Sequence, residues 1–377
     1  VTAADGDRIY GGCANAIKAA DGDNPVVHLM NDCVTNETIY SGGTSGTLDL
    51  GGHTYTYTVS TAGHQIVQIN YDNVAFTIEN GVVTASEAGP DGITNTYSGS
   101  SVVLDGVTVN VAGSGYGIVT NGGQENNAVV LRNSTLNVPN GQGIYFPSSG
   151  SVSIENSVIA AKYSGVQMCA GDLTVTGADT KITVTGEPQP KTEGDGGIAD
   201  GAAYKGVGVV SIEDGTFTSA NNTIPAVKAY SFNNDSKTED AWAGAGDAVE
   251  ISGGTFSATP ENMTDLCAEG YAPVVDPETG STTVELPEEN RVAEIDGRAY
   301  PSVQEALDAA KDGQTVKLNK GVNENVVIAE GKDVVLDLNG CTLSGGTVSD
   351  KAALTNYGTV TIKDSSADES GRIIRED

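Results

Sequence analysis

Short stretches in which apolar and polar residues alternate recur along the chain, each interrupted by Asn, Asp or Gly and then a small residue. Alternation with period two predicts β-strands that bury one side and expose the other. A weaker copy lies at 173–177. The clear copies lie at 76–83, 102–109, 129–136, 152–159, 210–217 and 249–256.

The spacing of these copies is that of a repeat protein. Taking Asn80, Asp105, Asn133 and Asn156 as the turn residues gives steps of 25, 28 and 23 residues. A second series of glycine-led strands starts at residues 92, 117, 143 and 165, with steps of 25, 26 and 22 residues, in phase with the first. Two series in phase predict the coils of a β-solenoid.

The same pattern assigns the inward and outward positions. We expect Asn at the bends, where its side chain tolerates left-handed backbone. Glutamates at 79, 155, 213 and 250 should face solvent. The residues expected to stack in the core are Ile78, Val103, Ile154, Ile212 and Ile251.

A larger repeat divides the chain, because residues 9–22 parallel residues 299–313. Each copy predicts a short amphipathic helix, the second with Ser302 as its N-cap, and such a helix can cover the open end of a solenoid. We predict an all-β, right-handed parallel β-helix with a capping helix over 1–260. A hairpin linker over 261–290 and a second, truncated β-helix with its own cap over 291–377 follow.

Composition supports a folded, acidic β-protein. Charged residues make up 18% of the 377 residues and glycine contributes 49, while β-branched residues dominate the strands, unlike a disordered or helical chain. The net charge of −31 repels nucleic acid and anionic membranes. No run of 18 apolar residues is present, so we expect no membrane insertion. A start at Val1 without Met suggests a removed leader or an excised piece.

Several segments resemble the pectate-lyase-like β-helix modules in large surface proteins of gut Firmicutes and related commensals. The resemblance implies an extracellular location, secreted or attached to the cell surface, and a monomeric segment of a larger chain. It implies no activity, since the fold hosts unrelated functions. The segments that carry it are 251–257, 267–271, 299–310, 334–343 and 354–366.

Catalytic signals are weak, and whether the chain is an enzyme stays open, with the non-enzymatic reading favoured. The strings Asn-Thr-Asp, Asp-Asp, Gly-His-Gly and Arg-Ile-Lys of polygalacturonase-like hydrolases are absent, and the three histidines all precede residue 65. Arg132 lies one coil from both Asp105 and Glu155, as either a lyase base or part of an outward salt-bridge ladder. A polysaccharide lyase or glycoside hydrolase on the same fold is therefore the alternative.

Metal binding is suggested by one loop. The insertion 187–204 carries Glu193, Asp195 and Asp200 among glycines, and such hard oxygen ligands on a flexible loop could hold Ca²⁺. The spacing lacks the DxDxDG pattern, so a solvated loop is the competing interpretation. We otherwise expect no cofactor.

Five cysteines are present without CxxC spacing, which does not suggest a zinc site. Cys13 falls on the predicted cap helix and Cys33 on the strand region beneath it. A disulfide between them would close a loop of about 20 residues and stabilise by about 3 kcal/mol in the chain-entropy model. We predict this disulfide and expect the other three cysteines, Cys169, Cys267 and Cys341, to be free or to join across the linker.

Aromatic and polar side chains suggest a binding surface. Tyr145, Gln167 and Lys228 each fall between inward residues, so they should face outward. Tyr230 lies at the start of the insertion 231–246, and Trp242 lies inside it. Tyrosine rings beside inserted loops could form a groove for a host or neighbouring glycan, mucin or glycoprotein. We predict a non-catalytic, adhesin-like binding protein. A structural stalk, with these tyrosines packed under loops, is the second alternative.

Overall fold

The computed structural model describes residues 3–5, 8–20, 22–186, 201–204, 207–221, 224–233, 238–241, 245–260, 263–345 and 352–375. The chain is an all-β solenoid with mostly parallel strands, which confirms the predicted parallel β-helix. It forms two compact units, one of residues 1–267 and 273–284, the other of residues 268–272 and 285–377. The segment predicted as a linker is thus divided between the units.

Successive coils of the first unit contribute strands to three faces, within which neighbouring coils pair in parallel. Two long strands, β9 (Ala75–Ala85) and β11 (Ser101–Asn110), bend and contribute to both the first and second faces. The other strands of the first face are β3 (Val26–Leu29), β6 (Gly46–Asp49), β13 (Asn127–Arg132), β16 (Gly150–Glu155), β19 (Gly171–Thr176), β22 (Val207–Ile212) and β26 (Val249–Ile251).

The second and third faces complete the coil. The second face contains β4 (Cys33–Thr35), β7 (Thr54–Tyr57), β14 (Thr135–Val138), β17 (Val158–Ala161), β20 (Lys181–Val184), β23 (Thr216–Thr218) and β27 (Thr255–Phe256). The third face contains β5 (Ile39–Tyr40), β8 (Gln65–Ile69), β10 (Asp91–Asn95), β12 (Tyr116–Thr120), β15 (Gln142–Phe146), β18 (Val166–Met168), β21 (Gly201–Tyr204) and β24 (Val227–Asn233).

Antiparallel strands and short helices finish the ends of the first unit. At its start, β1 (Ala3–Asp5) pairs with β2 (Arg8–Tyr10) and with β3, and the helix α1 (Cys13–Ala19) follows. Later in the unit β25 (Thr238–Ala241) pairs antiparallel with β24, and β29 (Thr282–Glu285) with β27. The remaining elements are the 3-10 helix Ala245–Asp247, α2 (Met263–Leu266) and β28 (Ala272–Val275).

The core of the first unit is built from the inward residues of successive coils, stacked one above another. Ile78, Ile154, Ile212 and Ile251 are buried as predicted. The assignment of Val103 to the core is wrong, because Leu104 is the residue in register with Ile78 and occupies the core. In the later coils, Phe217 and Phe256 stack with ring centroids 4.8 Å apart.

The bends require left-handed backbone, as the asparagine pattern predicts. Asn80, Asn133 and Asn156 have φ values of 58°, 47° and 46°. The equivalent position in the coil between the first two is Gly106, with φ of 64°, and not Asp105, which pairs with Glu79. One coil after Asn156, the bend is formed by Gly177, with φ of 84°.

The second unit begins with β30 (Ala293–Ile295), β31 (Arg298–Tyr300) and the helix α3 (Val303–Ala309), preceded by a 3-10 helix at Glu288–Asn290. Ser302 caps α3 as predicted, because its hydroxyl accepts a hydrogen bond from the Glu305 N–H at 3.1 Å. Three parallel series follow: β32 (Thr315–Leu318), β35 (Asp333–Asp337) and β38 (Thr359–Lys363); β33 (Val322–Asn323), β36 (Thr342–Gly345) and β39 (Arg372–Arg375); and β34 (Val326–Ile328) with β37 (Leu354–Asn356).

Candidate functional site

The outward surface of the third face brings aromatic and amide side chains together. Strand register places Tyr40 beside Gln68, and Tyr145 between Val119 and Gln167. Lys228 lies further along the same sheet, on β24. We call the outward residues of β5 to β15 the tyrosine face: Tyr40, Gln65, Gln68, Asp91, Thr94, Tyr116, Val119, Gln142 and Tyr145.

Glycine allows neighbouring coils of this face to approach closely. A Cβ atom added at Gly92 would lie 2.2 Å from the carbonyl oxygen of Gly117, and one at Gly143 would lie 2.2 Å from that of Gly165. Each glycine is followed by a buried residue, so two consecutive positions point inward. Outward side chains therefore stand three residues apart on a strand, as Gln142 and Tyr145 do.

This three-residue spacing produces the central contact of the tyrosine face. Tyr116 lies before the inward pair on β12, and Tyr145 lies after it on β15. Their rings stack diagonally across the coils, with centroids 5.3 Å apart and planes inclined by 25°. Both side chains are half-buried, so the pair is held by its surroundings and still reaches solvent.

Asp91 fixes the backbone beneath one of these rings. Its Oδ1 accepts a hydrogen bond from the Tyr116 N–H at 2.9 Å, across neighbouring coils. Burial raises the pKa of the Asp91 carboxyl, and the hydrogen bond from Tyr116 opposes this rise. Gly115 leaves room for the carboxylate, since a Cβ there would lie 1.8 Å from Asp91 Oδ1.

Amide groups lie on the same face as the rings. Gln65 Nε2 donates to Gln68 Oε1 at 2.7 Å, two positions that correspond to Tyr116 and Val119 in a later coil. Among the described residues, the buried Oε1 of Gln142 has no hydrogen-bond partner. A buried acceptor without a partner is costly, so this amide beside the stack has unmet hydrogen-bonding capacity.

The predicted site residues differ in their exposure to solvent in the structure. Tyr145 is outward and half-buried, and Lys228 is half-buried on the same sheet. Gln167 is in register with the outward Tyr145, but it is covered, because it is only 2% exposed and its Nε2 lies 3.8 Å from Cys169 Sγ. Tyr230 belongs to β24, but its side chain lies outside the described residues, as does all of Trp242.

Sequence reasoning missed the partners that give the site its geometry. The alternation of inward and outward residues singles out Tyr145, but it does not single out Tyr116, Tyr40, Gln65 or Asp91. The signal was present in the glycine-led series, because residues immediately before each glycine share one outward row. Counting outward positions with strict period two hides this row, since the two inward residues break the alternation.

The residues considered for catalysis do not converge in the part of the chain that is described. Arg132 is exposed and in register with Asp105 and Glu155, as expected, but no carboxylate within that part lies within 4.0 Å of its guanidinium. No group of three His, Cys, Asp or Glu residues suited to a metal occurs there either. The Ca²⁺ loop with Glu193, Asp195 and Asp200 lies outside the described residues.

The predicted disulfide is not formed in this structure, where Cys13 and Cys33 are both buried free thiols. Burial, together with the charges of Cys33 and Glu37, raises the pKa of Cys13 to about 12. Burial also raises the pKa of Cys33. Because the thiolate is the species that reacts, these raised pKa values lower the reactivity of both thiols in the folded chain.

Within the described residues, no helix has the length and apolar character needed to cross a membrane. Comparison with protein-family models, curated proteins and solved structures gives no match to this chain. The geometry of the tyrosine face is therefore the basis for assigning a function.

Proposed function

We propose that this chain is a non-catalytic binding protein that captures glycans on the tyrosine face. The observation that carries the proposal is the stack of Tyr116 and Tyr145, held across two coils at 5.3 Å. Aromatic rings offer flat apolar surface for the C–H faces of sugars, together with a hydroxyl that can hydrogen-bond. A pair of rings fixed in advance needs little ordering when a ligand arrives.

Polar groups around the stack suit a hydroxyl-rich ligand. Gln142 lies directly opposite Tyr116 in the ladder, and the Gln65–Gln68 pair lies further along the face. Amides both donate and accept, so they match sugar hydroxyls better than a single charge would. A few polar groups beside aromatic surface are typical of small-ligand sites.

The setting we propose is extracellular, as a monomeric segment of a larger secreted or surface-attached protein. The net charge of −31 favours solubility outside the cell and disfavours nucleic acid as a partner. The ligand we propose is a host or neighbouring glycan, presented on a mucin or another glycoprotein, and Trp242 and Lys228 keep their predicted contribution to capture.

A glycan array probed with the purified chain tests this proposal. We expect a restricted group of glycans to bind, and the Y116A/Y145A double variant to lose them. Y97A is the matched control, since Tyr97 is exposed at the surface of the same unit. A blank array would support the structural stalk instead, and release of reducing ends from a bound glycan would support the hydrolase alternative.

A further inference from the structure

A cavity of about 480 Å³ lies in the first unit, between α1 and the third face. Its wall combines Ile17 and Lys18 of α1 with Tyr40 of β5 and with Asn70 and Tyr71, which follow β8. Tyr40 and Tyr71 are 45% and 50% exposed, so both rings are accessible from solvent. The cavity is distinct from the Tyr116–Tyr145 stack, since β8 and β10 separate β5 from β12.

A glycine pair forms part of the wall of the cavity. Gly42 has φ of 76°, and its absent side chain would lie 3.7 Å from Ile17 Cγ2. Gly43 faces the ring of Tyr71, with its Cβ position 3.8 Å from the ring carbons. The loop therefore runs close to both the helix and the tyrosine ring.

Hydrogen bonds orient the polar wall. Ser41 Oγ donates to Asn70 Oδ1 at 3.1 Å and accepts from the Asn70 N–H at 3.3 Å. With Oδ1 engaged, the Nδ2 group of Asn70 is left as a donor with no partner among the described residues. Asn15 adds a second amide from the exposed side of α1.

The charge of the cavity is opposite to that of the protein. Among the described residues that line the cavity, Lys18 is the only charged one, whereas the whole chain has 50 acidic and 19 basic residues. Among the described residues, no carboxylate forms an ion pair with Lys18. At physiological salt, charges beyond about 8 Å are largely screened, so the nearby ammonium outweighs the net charge of the protein.

We infer that this cavity is a second saccharide subsite, and that it takes a sugar residue bearing a carboxylate, such as a uronic acid. The tyrosine rings contact the apolar faces of the sugar, Asn15 and Asn70 donate to its hydroxyls, and Lys18 pairs with its carboxylate. The inference rests on the proposed function only in taking the ligand to be a saccharide, because no residue of the stack takes part.

Titration of the intact chain with methyl β-glucuronide and with neutral methyl β-glucoside tests the inference, followed by NMR of the tyrosine rings. At low salt we expect the glucuronide to bind about threefold more tightly, as an exposed ion pair allows. The preference should disappear at 1 M salt, where the screening length is about 3 Å. The NMR signals that shift on titration should be those of the Tyr40 and Tyr71 rings.

Matched variants separate the charge from the fold. K18Q should abolish the preference for the glucuronide and leave glucoside binding unchanged, while K181Q, on an exposed lysine of β20, should keep it. Y71A should weaken both ligands about tenfold, as loss of a stacking ring at a binding hot spot does. Y357A, at an exposed tyrosine of the second unit, should not.

The experiments can refute the proposal for the cavity and the proposal for the Tyr116–Tyr145 stack independently. Y145A should leave glucuronide binding at the cavity intact even though it weakens capture of longer glycans. Absence of binding by both monosaccharides, equal binding in the wild type, or an unchanged preference in K18Q would each overturn the cavity inference. None of these outcomes would remove the tyrosine stack as a glycan site, which Y116A/Y145A tests.

Discussion

Tyr116 and Tyr145 stack although they are not opposite each other in the sheet. Tyr116 pairs with Gln142, and Tyr145 pairs with Val119, so the ring contact at 5.3 Å runs diagonally between neighbouring coils. The diagonal arises because the inward pairs at Gly117 and Gly143 shift the next outward residue along each strand. Close approach of glycine backbones thus determines where the aromatic surface forms.

Removing either ring should weaken glycan binding more than it weakens the fold. We expect Y116A and Y145A each to cost about 2 kcal/mol of binding free energy, the size of a binding hot spot. The free energy of unfolding should fall by about 1 kcal/mol, the value of an aromatic pair. Calorimetric titration and denaturant unfolding measure the two quantities, with Y97A as control. Equal losses in both would mean that the rings are structural.

Gly177 should tolerate alanine less well than Gly63, although both have positive φ, at 84° and 80°. A Cβ at Gly177 would lie 2.1 Å from Asn156 Oδ1, whereas nothing lies within 4 Å of one at Gly63. G63A should therefore cost about 1 kcal/mol for backbone strain. G177A should lower the free energy of unfolding by about 1 kcal/mol more than G63A does, through overpacking at the bend. Equal unfolding midpoints for the two variants would contradict this account of the bend.

Asp364 should make the second unit sensitive to acid. Hydrogen bonds from Ser366, Gly371 and Gly340 lower the pKa of its carboxyl to about 2. A folded-state pKa below the ordinary value means that the carboxylate stabilises the fold above about pH 4. That contribution is lost as the pH falls through the folded-state value.

The D364N variant tests this linkage. Its melting temperature should be lower than that of the wild type at pH 7, and the difference should shrink as the pH falls toward 2. E330Q is the control, because it removes a carboxylate on an exposed turn of the same unit. A wild-type minus D364N difference that stays constant across the acid range would refute the linkage.

Alkylation of the cysteines tests whether Cys13 and Cys33 are free thiols. With the pKa of Cys13 raised to about 12 and both side chains buried, we expect neither to react in the native state at pH 8. In denaturant without reductant, mass spectrometry should find all five cysteines alkylated. Three alkylated cysteines, with these two linked, would instead support the disulfide predicted from the sequence.

The solenoid could be predicted because its signals repeat. Alternating strands, left-handed asparagines and glycine-led strands recur at the same period, so an error in one coil leaves the others in place. The prediction failed by one residue in the coil that contains Asp105. The bend was assigned to Asp105, one position too early, and Val103 was assigned to the core in place of Leu104. A shift of one residue exchanges the two sides of a strand.

The candidate site could be predicted only in part. Tyr145 follows from its neighbours Ile144 and Phe146, which are both buried, but the same reasoning gave Gln167, which is covered. Local alternation identifies the side of the sheet and contains no information about what covers that side. The cavity at Lys18 and Tyr71 joins a helix to a turn that follows a strand about 50 residues later, and no short-range pattern connects them.

The most direct test of the account is NMR of the chain with isotope-labelled tyrosine rings, titrated with the strongest glycan from the array. We predict that the signals of Tyr116 and Tyr145 shift together and saturate at the same concentration, while those of the buried Tyr55 and Tyr57 stay in place. Signals of Tyr116 and Tyr145 that remain unmoved at saturating glycan would contradict the claim that the tyrosine face binds it.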